Sequence, residues 1–199
     1  MNQQPVNRDQ AWQLLTSLTT KSSLIKHALA VEAAMRAYAE KFGQDIELWG
    51  LVGLLHDFDW EIHPTLQQHP AEGAKILREK GYPEVIIDAI LSHADSTVAE
   101  HPRYTLLKKT LFAVDELCGF ITACALVRPQ RLEGMKAKSV RKKLKDKAFA
   151  AAVNRDDIIK GAEQLGVELN EHIEFVIAAL ARIAEQLDLA APPARQNGQ

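Results

Sequence analysis

The 199-residue sequence predicts an all-α fold. Apolar residues recur at spacings of three and four in almost every segment, the period that turns one side of a helix toward a core. Alternation of β-branched residues, the mark of a half-buried strand, is absent over any useful length. At 47% hydrophobic and 25% charged, a chain of this length supports a single domain with a buried core and a C-terminal helical extension.

The elements follow in order. A first helix is expected over residues 8–19 and a second from Ser23 to Phe42, whose face Leu24, Ala28, Val31, Met35, Tyr38, Phe42 keeps the 3.6-residue period. Gly43 suits the left-handed residue that ends a helix. Asp45 can cap the next helix, "IELWGLVGLLH", which is apolar nearly all round and therefore central; Gly50 and Gly53 permit close approach of a neighbour, and the helix stops at His56. After an irregular stretch, His69-Pro70 opens "AEGAKILREKG", because proline fits a first helical turn and pushes the residue before it out of helical geometry. Gly81 and Pro83 punctuate, and "EVIIDAILSHAD" places Ile86, Ile90 and His93 on one face. A loop around His101-Pro102 leads to a long helix, "YTLLKKTLFAVDELCGFITACALV", ended by Pro129, and two or three further helices precede a flexible tail. The expected division is an N-terminal helix over 1–19, a central unit over 20–130, C-terminal helices packed on it over 131–189, and the tail over 190–199.

A formal charge of -2 gives no global pull toward nucleic acid or an anionic membrane. Nucleic acid is accordingly not an expected partner. No run approaches the length needed to span a bilayer, and "MNQQPVNRDQ" lacks the basic-then-apolar layout of a signal peptide. Cys118 and Cys124 sit in an apolar helical pattern without metal-ribbon spacing and read as core residues of a reducing compartment, so the expected location is cytoplasmic.

Ionisable groups on apolar faces are expensive unless paired or bound to metal. Four such residues stand out. His27 edges the stripe of the second helix, Asp115 lies inside the face Leu107, Leu111, Val114, Cys118, Ile121 of the long helix, and His56-Asp57 ends the central helix. Singly, each reads as a satisfied core polar group. Together, two imidazoles and two carboxylates from three helices make a nitrogen-and-oxygen set suited to a divalent transition metal such as Fe, Mn, Co, Ni or Zn.

The order His27, His56-Asp57, Asp115 resembles the HD-domain superfamily of metal-dependent phosphohydrolases over roughly residues 20–130. The resemblance implies an all-helical HD-like bundle in which these four residues hold one metal. His69 in "HPAEGAKIL" and His93 in "ILSHAD" match the histidines that many members use for a second ion, with Asp57 as the bridging carboxylate. One or two ions are therefore expected, and the layout is similar to the dinuclear subgroup that acts on cyclic dinucleotides and diadenosine tetraphosphate. The chain departs from the family where Phe58, Asp59, Trp60 replace the Ile-Gly-Lys run common after the HD pair, which removes the lysine that contacts phosphate in relatives. "GYPEV" also lacks the context of the cyclic-di-GMP enzymes.

The expected activity is hydrolysis of a small phosphate ester, a nucleotide or dinucleotide, by metal-activated water. A mixed-valent di-iron oxygenase of the HD type and a non-catalytic nucleotide-sensing module are the alternatives. Asp57 and Asp59 are the candidate catalytic carboxylates; Asp59 and Glu61 could act as general acid or as partners of the histidines. His63 and His101 precede prolines without a matching helix pattern, and His172 reads as a surface or packing residue. A phosphorylated substrate also calls for cations. "MKAKSVRKKLKDK" holds seven positive residues against one Asp, with Lys138, Arg141, Lys142 and Lys145 at helical spacing. Lys138, Arg141 and Lys142, with Arg128 at the end of the long helix, are the candidate substrate contacts; the competing reading of the run is a solvated helix face.

Overall fold

The computed structural model describes residues 6–193 and contains nine helices and no strand among them. They are α1 (Arg8–Leu18), α2 (Ser22–Phe42), α3 (Ile46–Leu55), α4 (Ala71–Glu79), α5 (Glu84–Leu91), α6 (Leu106–Leu126), α7 (Ala137–Leu144), α8 (Arg155–Leu165) and α9 (Leu169–Ala181). Most of the expected tail, residues 194–199, lies outside the described residues.

Local sequence sets the helix ends. Asn7 and Gln10 form a reciprocal capping box at α1, and the Asp45 carboxylate accepts the Leu48 N–H to start α3. Gly43 closes α2 at φ 62°, in the left-handed region where glycine pays no steric penalty. α6 begins with Thr105 as its cap and ends at Leu126, ahead of Pro129. Glu61, a candidate general acid or histidine partner, instead accepts the N–H groups of Thr20 and Lys21 and the Thr20 hydroxyl, tying the stretch after α3 to the start of α2.

α2 packs on α3, and both meet α6, which also carries α8 and α9. The α2–α3 approach depends on Gly53: a Cβ there would lie 2.9 Å from the Glu32 Cα and 2.9 Å from the Val31 carbonyl oxygen. Gly161 plays the same part between α8 and α6, where a Cβ would fall 2.6 Å from the Ala113 Cα. Val31, Met35, Tyr38, Leu54, Leu55, Phe58, Leu111 and Phe120 are fully buried between these helices.

His172 on α9 is buried, not superficial, and links three helices. The Tyr38 hydroxyl donates to its Nδ1 at 2.6 Å, and its Nε2–H donates to the Ala113 carbonyl at 2.9 Å. Burial pushes its pKa down to about 4, which keeps the ring neutral and able both to accept and to donate.

Candidate metal centre

The fold brings six sequence-predicted residues from five separate places to one point. His27 comes from the second turn of α2, His56 and Asp57 from the end of α3, His69 from the residue before Pro70 at the start of α4, His93 from just beyond α5, and Asp115 from the middle of α6. They form two groups that share Asp57: His27, His56, Asp57 and Asp115 in one, and Asp57, His69 and His93 in the other. Within each, the ligand atoms all lie within 4.8 Å of one another.

Asp57 divides its oxygens between them. Oδ2 faces His56 Nε2 at 3.4 Å and His27 Nε2 at 3.9 Å, whereas Oδ1 faces His69 Nε2 at 3.0 Å and His93 Nε2 at 3.4 Å. Asp115 closes the first group, its Oδ1 lying 3.0 Å from His27 Nε2 and 3.4 Å from His56 Nε2.

The tautomers of three histidines follow from their second hydrogen bonds. His56 stands just past α3 and its Nδ1 lies 2.8 Å from the Gly53 carbonyl, one of the acceptors that a helix end leaves without an internal partner. A carbonyl only accepts, so Nδ1 carries the hydrogen, and in the neutral ring Nε2 presents a lone pair to the centre. His93 repeats the device at the end of α5 with the Ile90 carbonyl at 2.5 Å. His69 donates from Nδ1 to Asp59 Oδ1 at 2.8 Å, and the other Asp59 oxygen accepts the Gly73 N–H at 3.1 Å.

The fit to metal rests on this arrangement. Nε2 of His69 and of His93 are 3.2 Å apart, as are those of His56 and His27. With Nδ1 already committed to donating, the facing lone pairs of His69 and His93 repel unless a cation stands between them. Protons fill that role when no metal is present. Burial alone would lower the His56 pKa, but Asp57 and Asp115 outweigh it and hold the group well above the usual imidazole value. His69 behaves alike: burial opposes its charge, hydrogen bonds to Asp57 and Asp59 prevail, and it is pushed up to about 9. The carboxyls respond in kind, since burial would raise Asp57 and Asp115 but the adjacent histidines hold both well below the usual carboxylate range. Two imidazole-and-carboxylate groups sharing one carboxylate fit one or two divalent transition ions.

Several expectations need correcting. Asp59 is fully buried with both oxygens engaged, so it cannot reach a substrate as a general acid; it orients His69. None of the six centre residues lies beside Arg128, Lys138, Arg141 and Lys142 in the groove those four line. That groove lies beyond the C-terminal end of α6, where Leu126 is roughly 16 Å further along the helix axis than Asp115. His63 and His101 belong to neither group, and His101 instead bonds Asp88 at 2.7 Å.

Three residues were given no role at the site from sequence. Gly73 is required beneath Asp59, because a Cβ there would fall 2.5 Å from the carboxylate carbon. Trp60 sets its ring edge-on to His69 at 5.0 Å between centroids. Arg103 donates from Nε to the Ser92 carbonyl and from Nη2 to the His93 carbonyl, both at 2.7 Å, with its guanidinium 3.6 Å from the Phe112 ring centroid. The glycine four residues after His69 was visible as a signal; the arginine, held by loop carbonyls, had none.

The family model described as "HD domain" matches residues 24–146, more than half of the chain, and the protein belongs to that family. HD-domain proteins are generally metal-dependent phosphohydrolases. No curated protein and no solved structure gives a significant match. Among the described residues no helix is long and apolar enough to cross a membrane.

Proposed function

We propose that the protein is a metal-dependent phosphohydrolase acting on a small phosphate ester, of the nucleotide or dinucleotide class. The observation that carries this reading is the division of Asp57 between two histidine groups, three of whose four Nε2 atoms, those of His56, His69 and His93, are turned inward by independent hydrogen bonds. Bound divalent ions supply a water acidified toward neutrality and positive charge for phosphoryl oxygens.

The chain's own residues supply position. Asp57 fixes the spacing of the two groups by offering one oxygen to each. His56, His69 and His93 are preset toward the centre, so little reorganisation accompanies loading. Phe58 and the apolar residues at the ends of α3 and α5, next in sequence to His56-Asp57 and His93, are buried.

Arg103 supplies the fixed cation that the Phe58-Asp59-Trp60 departure removed. It is tied to the centre through the His93 carbonyl and pairs with Asp95 at 3.4 Å; burial dominates and lowers its pKa, and Asp95 offsets part of that. Its Nη1 has no hydrogen-bond acceptor among the described residues and is the donor available to a phosphate oxygen.

The test is turnover of nucleotide, dinucleotide and generic phosphodiester substrates by protein loaded with Mn, Co, Fe, Ni or Zn. Phosphate release without oxygen, abolished in Asp57→Ala together with metal retention, is the expected result. A loaded protein that consumes oxygen and hydrolyses nothing would instead identify the oxygenase chemistry of the same ligand set. Failure to retain any of these metals would remove both.

A further inference from the structure

Between the end of α6, α7 and the start of α9 lies an open groove of about 1010 Å³ that contains none of the metal-centre residues. Six cations line it: Arg128, Lys136, Lys138, Arg141, Lys142 and Lys145. Their only carboxylate within ion-pair distance among the described residues is Glu174, 3.9 Å from the Lys136 ammonium. That carboxylate is already engaged by the Ala137 N–H at 2.6 Å. Lysine clusters on natural surfaces are usually interleaved with acids, because like charges repel. Here five of the six are left uncompensated in a chain whose formal charge is -2.

Helix polarity sharpens the point. α7 has no acidic residue in its first turn and begins with Lys136 and Lys138, at the end where the macrodipole already places positive charge. An anion seated there would relieve both repulsions. The remaining lining residues are Gly134, Ala137, Ser139 and Asn170, so the groove offers no aromatic face on which a base could stack and no large aliphatic anchor for a peptide. Arg141 is steadied by Asn170 Oδ1 at 3.3 Å.

We propose that this groove is a second, non-catalytic site for a short phosphate chain, the moiety shared by inorganic polyphosphate and nucleoside polyphosphates. Recognition is by charge alone. The site does not depend on the metal centre and holds its ligand whatever that centre does.

The experiment uses the full chain, freed of metal by chelator and dialysed at low salt, with sodium tripolyphosphate as the calorimetric probe. One saturable site is expected, weakened at least tenfold in Lys138→Glu/Lys142→Glu and unchanged in Lys75→Glu/Lys80→Glu, which alters net charge equally on another face. Both variants should melt close to the wild type, since all four lysines are exposed and the one ion pair among them, Lys75–Glu72, is a surface pair of small worth. A nucleoside triphosphate should bind within a few-fold of tripolyphosphate, because nothing in the groove reads a base. Absence of saturable binding, equal loss in both variants, more than tenfold preference for the nucleotide, or binding of single-stranded RNA but not of tripolyphosphate would each overturn the proposal.

Discussion

His69 and His93 bring their Nε2 atoms to 3.2 Å of each other while each Nδ1 is committed to a separate acceptor, Asp59 for one and the Ile90 carbonyl for the other. The two rings are thus held apart from behind and pushed together in front. Only a cation between them resolves the arrangement, and this makes the role of Asp59 measurable. Asp59→Asn keeps the volume but removes the charge that orients His69. It should weaken binding at the His69–His93 group by about 10–100-fold and leave the His27–Asp115 group within a few-fold of wild type. Metal titration resolving two stoichiometric steps would check this; equal weakening of both steps would contradict it.

Metal and protons compete for the same nitrogens. His69 is raised to about 9 in the metal-free protein, so its folded state binds the proton more tightly than the unfolded chain does. That stability is fully present below about 6.5, the unfolded value, and is lost as pH rises through about 9. Metal-free protein should therefore lose melting temperature between those limits. Metal-loaded protein should not, and loading near neutral pH should release protons, readable by calorimetry in buffers of different ionisation enthalpy.

His172 titrates with the opposite sign. Its folded pKa, pushed down to about 4 by burial, lies below the unfolded value, so the stability it contributes is present above about 6.5 and lost as pH falls through about 4. The difference corresponds to about 3 kcal/mol at most. His172→Gln retains an acceptor for Tyr38 and a donor for Ala113 without the titration, and should flatten the fall in melting temperature between pH 6.5 and 4.

Arg103→Lys keeps the charge near the centre but loses the planar fork that holds two carbonyls and leaves Nη1 free. On the phosphohydrolase reading, kcat/KM should drop by roughly 10–100-fold, with metal content retained. An unchanged kcat/KM would leave Arg103 as a brace for the loop after α5.

Gly73→Ala tests the floor of the centre. The new Cβ would meet the Asp59 carboxylate from 2.5 Å away, and Asp59 is enclosed with no room to retreat. A loss of about 1–3 kcal/mol is expected despite alanine's better helix propensity, because overpacking outweighs it. Denaturant unfolding measures the balance.

The sequence by itself determined the helical period of the chain, the stops at Gly43 and His56, the opening of α4 after His69-Pro70, and the residue types of both metal groups. These are local properties: a cap, a glycine or a buried charge is written where it acts. Tertiary structure decided the rest. That Asp57 turns one oxygen to each group depends on how α3 leaves α2, and that Asp59 is sealed beneath Gly73 depends on the packing of α4 against the turn after α3. The basic run reads alike whether it faces the centre or points away; its distance along α6 was settled by where α7 docks. Arg103 escaped notice because its two short hydrogen bonds go to backbone carbonyls, and every residue has one.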